Sequence, residues 1–259
     1  MVVHERFAIK IPDAYPLECA GPIMCAGITM YDPLKKHGVG SGSRVGIIGL
    51  GGLGQVGVKL AKALGCIVTV ISRSDAKRDF AMQTCGAQTF LASSNKAEMK
   101  AQAQTLDLIL NTIPNYHDAT VYSKLLRGSG RQVLLGQNKQ TAGAMFVNKF
   151  VCGRSRIVMS LVGGIKNTQE VIDLCAEHKI YPEIVVVPVW DLNQVYEKLD
   201  DNSTGVRYVL DIEGTLTDEA TVNAKCTAPP PQLAPFNGDF SVPGAVGQCC
   251  WMFWCCKWC

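Results

Sequence analysis

The stretch that most constrains this chain is Gly49-Leu50-Gly51-Gly52-Leu53-Gly54, set between "RVGIIGL" (44–50) and "GLGQVGVKLAKAL" (52–64). The first segment is a continuous apolar run, which reads as a strand buried on both faces. The second places Leu53, Val56, Leu60 and Ala63 at helical spacing. A glycine-rich turn between a buried strand and a helix start has a specific physical use. Gly49 permits the tight turn, Gly51 lets backbone approach a pyrophosphate, and Gly54 lets helix and strand pack closely. The unpaired N–H groups of Gly52 and Leu53 at the helix start then face the anion. The pattern alone is weak, and a merely glycine-rich turn is the bland alternative. The strand before it and the helix after it favour the phosphate-binding one.

The same alternation continues along the chain. "CIVTVI" (66–71), "QTFLA" (88–92), "LDLILNT" (106–112), "GRQVLLG" (130–136) and "SRIVMSLVG" (155–163) read as further apolar strands. Helical segments are predicted over 23–36, over 75–85, around His117–Leu126 and, capped by Thr168, to about His178. Residues 1–20 read as irregular, with Pro12 and Pro16 breaking any helix. Six apolar strands alternating with helices predict an α/β protein with a doubly wound parallel (Rossmann) sheet. "EIVVVPV" (183–189), a helix near Leu192–Leu199 and "VRYVLDI" (206–212) follow the sheet. From about Glu213 the chain turns rich in Pro, Gly, Ala and Thr and ends in "CCWMFWCCKWC". It reads as a disordered, Cys/Trp-ended tail over 214–259.

At the end of the second strand, a site for an unphosphorylated ribose wants a carboxylate. This chain has Ser72-Arg73-Ser74 there, then Lys77, with Asp75 too late in the turn. Arg73 and Lys77 suit a 2′-phosphate, with Ser72 as a hydrogen-bond donor, so NADP is expected rather than NAD.

Other classes fall away on charge and composition. A formal net charge of +3 with 18% charged residues does not predict nucleic-acid binding. No run of eighteen apolar residues predicts a spanning helix, so no membrane partner is expected. "MVVHERFAIKIPDAYP" has no apolar core of a signal peptide, and Asn202-Ser203-Thr204 reads as a turn rather than a glycosylation site. Five of the 12 cysteines fall in the last eleven residues. The others are scattered as reduced core cysteines are, which predicts a cytoplasmic protein.

Several stretches together resemble the zinc-dependent medium-chain alcohol dehydrogenases, of the cinnamyl alcohol dehydrogenase type. They are "ECAGPIMCAGITMYDPLKKHGV", "GIIGLGGLGQVGVKLAKALG", "VTVISRSDAKR", "SLVGGIKNTQEVIDLCAEHKIYPEIVVVP" and "VRYVLDI". The resemblance implies NADP-dependent interconversion of a primary alcohol and an aldehyde by a homodimer. It implies Cys25 as a zinc ligand and Thr29 near the nicotinamide and phosphates. Ser72, Arg73 and Lys77 would hold the 2′-phosphate. Thr112, Gly136, Ser160 and Val162 would lie in cofactor-binding segments. It further implies that residues 1–36 are a remnant of a GroES-like catalytic domain with its connecting helix, that 37–181 bind the dinucleotide, and that 182–213 return to the catalytic domain. On that reading the remaining zinc ligands fall outside this sequence. Zinc is then not expected to be held by this chain alone, and turnover is expected to be impaired. His4-Glu5 does not replace the family's His-Glu pair, because it precedes Cys25 too closely. A nucleotide-binding module without turnover, or a non-functional product, are the alternatives.

Overall fold

A computed structural model describes residues 2–115, 117–136, 156–200 and 205–215. The Cys/Trp-ended tail beyond residue 215, Asn202, Cys152 and Cys226 lie outside the described residues. The chain divides into two units between Glu183 and Ile184.

The first unit is built on six parallel strands: β1 (Arg44–Ile48), β2 (Ile67–Ser72), β3 (Thr89–Ala92), β4 (Leu106–Asn111), β5 (Leu126–Leu134) and β6 (Ile157–Met159). Their order is β3-β2-β1-β4-β5-β6. The chain therefore builds outward from β1 in one direction, returns, and builds outward in the other. This is the doubly wound Rossmann order, whose ligand crevice lies beyond the strand C-termini where the order reverses, between β1 and β4. Central residues are apolar on both faces, as a parallel sheet covered on both sides requires. Ile48, Ile71, Leu91, Leu106, Ile109, Leu125 and Leu126 form one buried cluster. Side chains are sacrificed where strands approach: a Cβ on Gly46 would stand 2.7 Å from Leu106.

The helices are α1 (Leu17–Pro22), α2 (Ile28–Lys36), α3 (Gly52–Ala63), α4 (Lys96–Ala101), α5 (Thr120–Ser123) and α6 (Ile165–Glu177). A π-helical turn, Ile23–Gly27, joins α1 to α2. Helix α2 lies against α3 so closely that a Cβ on Gly57 would overlap Met30, 2.0 Å from its Cε. Polar side chains tie α2 to α6. Asn167 donates to Asp32 (2.8 Å), and Lys35 bonds both Asn167 (3.0 Å) and Glu170. The N-terminal segment is fixed differently. The Gln169 amide accepts from Lys10 N (2.8 Å) and donates to Lys10 O (2.9 Å). The buried Tyr15 hydroxyl donates to Ile180 O at 2.8 Å.

Three details depart from the sequence expectation. A helix does form before residue 20: α1 begins directly after Pro16, because proline is compatible with a helix start, where the N–H has no partner in any case. Thr168 does not cap α6. The helix starts from Gly164, and the Thr168 hydroxyl donates back to Gly164 O at 3.0 Å. The helix placed around His117–Leu126 is a single turn, α5, and His117 precedes it in a loop.

The second unit is a parallel pair, β7 (Ile184–Pro188) and β8 (Arg207–Asp211), joined through α7 (Leu192–Asp200) and followed by α8 (Ile212–Thr215). Val189 N donates to Thr215 Oγ1 at 3.0 Å, which holds α8 beside the end of β7.

Candidate functional site

The Gly49–Gly54 turn leaves β1 and enters α3 at the sheet's C-terminal edge. Gly49 has φ +87°, a left-handed conformation that favours glycine. A Cβ there would also stand 2.7 Å from Thr112 Oγ1. Gly54 is required for contact: its Cβ would lie 2.0 Å from Gly49 O. Gly51 differs from both. Its φ of −98° suits any residue, and a Cβ would meet nothing within 4 Å. No side chain caps α3. Its first N–H groups, with Gly52 and Leu53 at the start, therefore front an open cradle that suits an anion.

The other residues singled out from the sequence fall around this turn to different degrees. Ser72 ends β2, and Arg73 is exposed just beyond it. Lys77 donates to Leu50 O at 3.1 Å, which places an ammonium group on the glycine turn itself. The acid nearby in sequence, Asp75, is taken by Arg78 at 2.6 and 2.8 Å. Thr112 follows β4, and its N–H and hydroxyl both bond Ile48 O, at 2.9 and 2.8 Å. Gly136 follows β5, where a Cβ would lie 2.0 Å from Ile113 O. Ser160 follows β6 and donates its N–H to Leu134 O at 3.1 Å; Val162 is exposed. These positions thus lie at the C-terminal ends of β1, β2, β4, β5 and β6.

Thr29 and Cys25 sit elsewhere, on α2 and on the π-helical turn before it. Thr29 is buried, and its hydroxyl has no hydrogen-bond partner. An unmet buried hydroxyl costs about 1–3 kcal/mol. Cys25 is half-buried. Catalytic zinc takes three protein ligands and keeps an open position. Among the described residues no group of three or more His, Cys, Asp or Glu is placed to hold a metal, so these residues do not fit a complete zinc site. His4 is occupied as a cap, accepting from Arg6 N at 3.2 Å.

Sequence reading missed Asn111 and His117. Asn111 is buried at the end of β4, and its Nδ2 lies 2.7 Å from His117 Nε2. An amide at a strand end six residues before a loop histidine gives no recognisable pattern.

A doubly wound parallel sheet with a glycine turn at its reversal point is the Rossmann architecture of an α/β protein. Comparison with known proteins agrees. A family model described as "Zinc-binding dehydrogenase" matches residues 52–177. A "Probable cinnamyl alcohol dehydrogenase 1" of Aralia cordata is 41% identical over 224 residues, covering 85% of this chain and 62% of that protein. A "Probable cinnamyl alcohol dehydrogenase" of Populus deltoides is 42% identical over 217 residues, with 83% and 60% covered. Among solved structures, a cinnamyl alcohol dehydrogenase from Sorghum bicolor aligns with a TM-score of 0.72 at 34% identity, covering 84% of this chain and 62% of that one. CAD from Helicobacter pylori, complexed with NADP(H), aligns with a TM-score of 0.69 at 37% identity, covering 80% and 58%. Residues 52–177 match the zinc-binding dehydrogenase domain, the chain is similar to cinnamyl alcohol dehydrogenases, and it spans about 60% of the length of the relatives it matches. Among the described residues no helix is long and apolar enough to cross a membrane.

Proposed function

We propose that this chain binds NADP(H) across the C-terminal edge of its sheet and serves the interconversion of a small primary alcohol and its aldehyde. The observation that carries the reading is the glycine turn met by Lys77, while the nearby Asp75 carboxylate is engaged by Arg78. The pyrophosphate lies over Gly51 against the N–H groups of Gly52 and Leu53. Ser72, Arg73 and Lys77 hold the 2′-phosphate, where Lys77 already reaches the glycine turn through Leu50 O. Thr29, Thr112, Gly136, Ser160 and Val162 serve the nicotinamide half, with Thr29 supplying a hydroxyl that lacks a partner. The nicotinamide, when bound, supplies the hydride acceptor or donor. In this arrangement residues 37–181 are the dinucleotide-binding domain, while 1–36 and 182–213 belong with the substrate-binding part of the family's enzymes.

A second reading is favoured by one observation. Since the described residues around Cys25 do not complete a zinc site, the chain binds the nucleotide without turning over alcohols unless further ligands are supplied.

Calorimetric titration with NADPH and NADH tests cofactor choice. NADPH binds more tightly. Changing Arg73 and Lys77 to Ala together weakens NADPH and leaves NADH unaltered. Each lost charge-assisted bond removes about 1.5–3 kcal/mol, and each 1.4 kcal/mol is roughly tenfold in affinity. Equal affinities of the unaltered chain for both nucleotides would refute the assignment. Assay of the same protein with NADP, added zinc and a panel of alcohols separates the two readings.

A further inference from the structure

We propose that His117 is a positioning residue for the nucleotide floor: a single imidazole tautomer orients the Asn111 carboxamide, and Asn111 fixes the end of β4 against both the glycine turn and Gly136. The proposal rests on the nucleotide-binding reading.

The hydrogen-bond pattern leaves one self-consistent assignment. His117 Nδ1 lies 2.8 Å from Asn115 O, which can only accept, so Nδ1 carries the ring proton. Nε2 of the neutral ring is then an acceptor, and it takes a hydrogen from Asn111 Nδ2 at 2.7 Å. Asn111 Oδ1 accepts from Ile113 N at 3.1 Å. A half-turn of the amide would set its NH₂ group against the Ile113 N–H and its oxygen against the lone pair of Nε2. Each bond therefore enforces the other two.

Asn111 lies where three strand ends meet. Its carbonyl accepts from Leu135 N (2.9 Å) and Gly136 N (3.3 Å). The next residue, Thr112, bonds Ile48 O and stands against the position of a Gly49 Cβ. The residue after that, Ile113, puts its carbonyl against Gly136. A shift in residues 111–113 thus reaches both the pyrophosphate turn and the β5 end. Asn111 is 1% exposed, so in the intact chain its amide is satisfied by protein partners.

The titratable and charged groups near the ring leave both of its nitrogens to these partners among the described residues. Asp118 is engaged by Thr120 N (2.9 Å) and Thr120 Oγ1 (2.6 Å). Tyr122 meets the ring edge-on with centroids 6.2 Å apart. The Thr120 bonds hold the Asp118 carboxyl below its usual range, and His117 and Lys124 add to that.

The test uses the full chain, with NADPH affinity measured by calorimetry for the wild type, His117→Ala and His117→Gln, beside ¹⁵N spectra of the wild-type imidazole. Alanine removes the acceptor and lowers affinity by about tenfold, the scale of one buried hydrogen bond. Glutamine offers Oε1 to the Asn111 amide and restores affinity to within about threefold. The spectra show Nδ1 protonated and Nε2 bare, a signature that does not depend on nucleotide. Wild-type affinity in His117→Ala overturns the positioning role and leaves the nucleotide reading standing. A ring protonated at Nε2 alone overturns the tautomer. Failure of the wild type itself to bind NADPH overturns the nucleotide reading and the proposal together. If the alanine variant does not fold, the glutamine variant and the spectra decide. Glutamine as weak as a tenfold loss refutes the acceptor role.

Discussion

Gly51 and Gly54 are three residues apart in one turn, yet alanine at each has opposite expected effects. At Gly54 the new methyl would stand 2.0 Å from Gly49 O. Carbon and oxygen settle at roughly 3.3–3.6 Å, so helix or turn must retreat by more than about 1 Å. The turn cannot yield at Gly49, whose φ is +87° and whose own Cβ position is blocked by Thr112 Oγ1 at 2.7 Å. Overpacking of this kind costs about 1–3 kcal/mol. At roughly 2–4 °C per kcal/mol for a chain of this size, Gly54→Ala lowers Tm by about 2–12 °C. At Gly51 nothing lies within 4 Å and the backbone is already in a common region. Gly51→Ala gains about 0.4–1 kcal/mol from a stiffer unfolded chain. It gives back a comparable amount because glycine outranks alanine as an N-cap. Its Tm therefore stays within about 2 °C of wild type. In the nucleotide complex the same methyl occupies the cradle, and NADPH affinity falls by tenfold or more, about 1.4 kcal/mol. Differential scanning calorimetry and NADPH titration of both variants measure the contrast. Undiminished NADPH affinity in Gly51→Ala, or an unchanged Tm in Gly54→Ala, would refute the reasoning.

Strand β6 is an edge strand, and Met159, Leu161 and Val162 at and beyond its end are 42%, 54% and 49% exposed. An open apolar edge invites pairing, so light scattering at micromolar concentration is expected to show a dimer that Leu161→Lys shifts toward monomer; a monomeric wild type counts against this. Burial pushes the Cys175 thiol up to about 12 and the Cys85 thiol up to about 11, from the usual 9.0. The folded-state values lie above the unfolded ones, so this stability is fully present below pH 9 and is lost as pH rises through 9 toward 11–12. At pH 10 the two together remove at most roughly 2.7 kcal/mol relative to pH 8. Denaturant titrations at both pH values measure it, and a Cys175→Val chain that loses as much as the wild type would contradict the assignment.

Much of the sheet was legible because its strands are apolar on both faces and each is closed by small or polar residues. The Gly49–Gly54 turn placed β1 and α3, and with them the reversal point. The β4–β5 pairing was less legible. It carries a register shift between Leu106 and Leu108, and β5 begins at Leu126, four residues before the apolar run that announces it. Proline is ambiguous in one place: Pro16 reads as a helix breaker, yet it marks a helix start. Among the candidate residues, Ser72 is legible as the end of an apolar strand, whereas Thr112 and Gly136 stand out only through the resemblance. Asn111 and His117 are not legible, because their meaning depends on a loop path that no local periodicity encodes. Lys77 was chosen for its charge, but its bond to Leu50 O follows from the 3₁₀ turn Asp75–Lys77 and could not be read from spacing.

Gln169 offers Lys10 one donor and one acceptor, as a neighbouring strand would, but from a single side chain. The two residues are 159 positions apart. Closing so long a loop adds only about 0.6 kcal/mol for each doubling of length, so equilibrium stability scarcely registers the separation. Kinetics does, because contacts between distant residues slow folding. The Lys10 backbone has no such partner until α6 is laid down beyond β6, and the same holds for the Tyr15 bond to Ile180. The N-terminal segment thus rests on contacts of the kind that form slowly, at little cost to equilibrium stability.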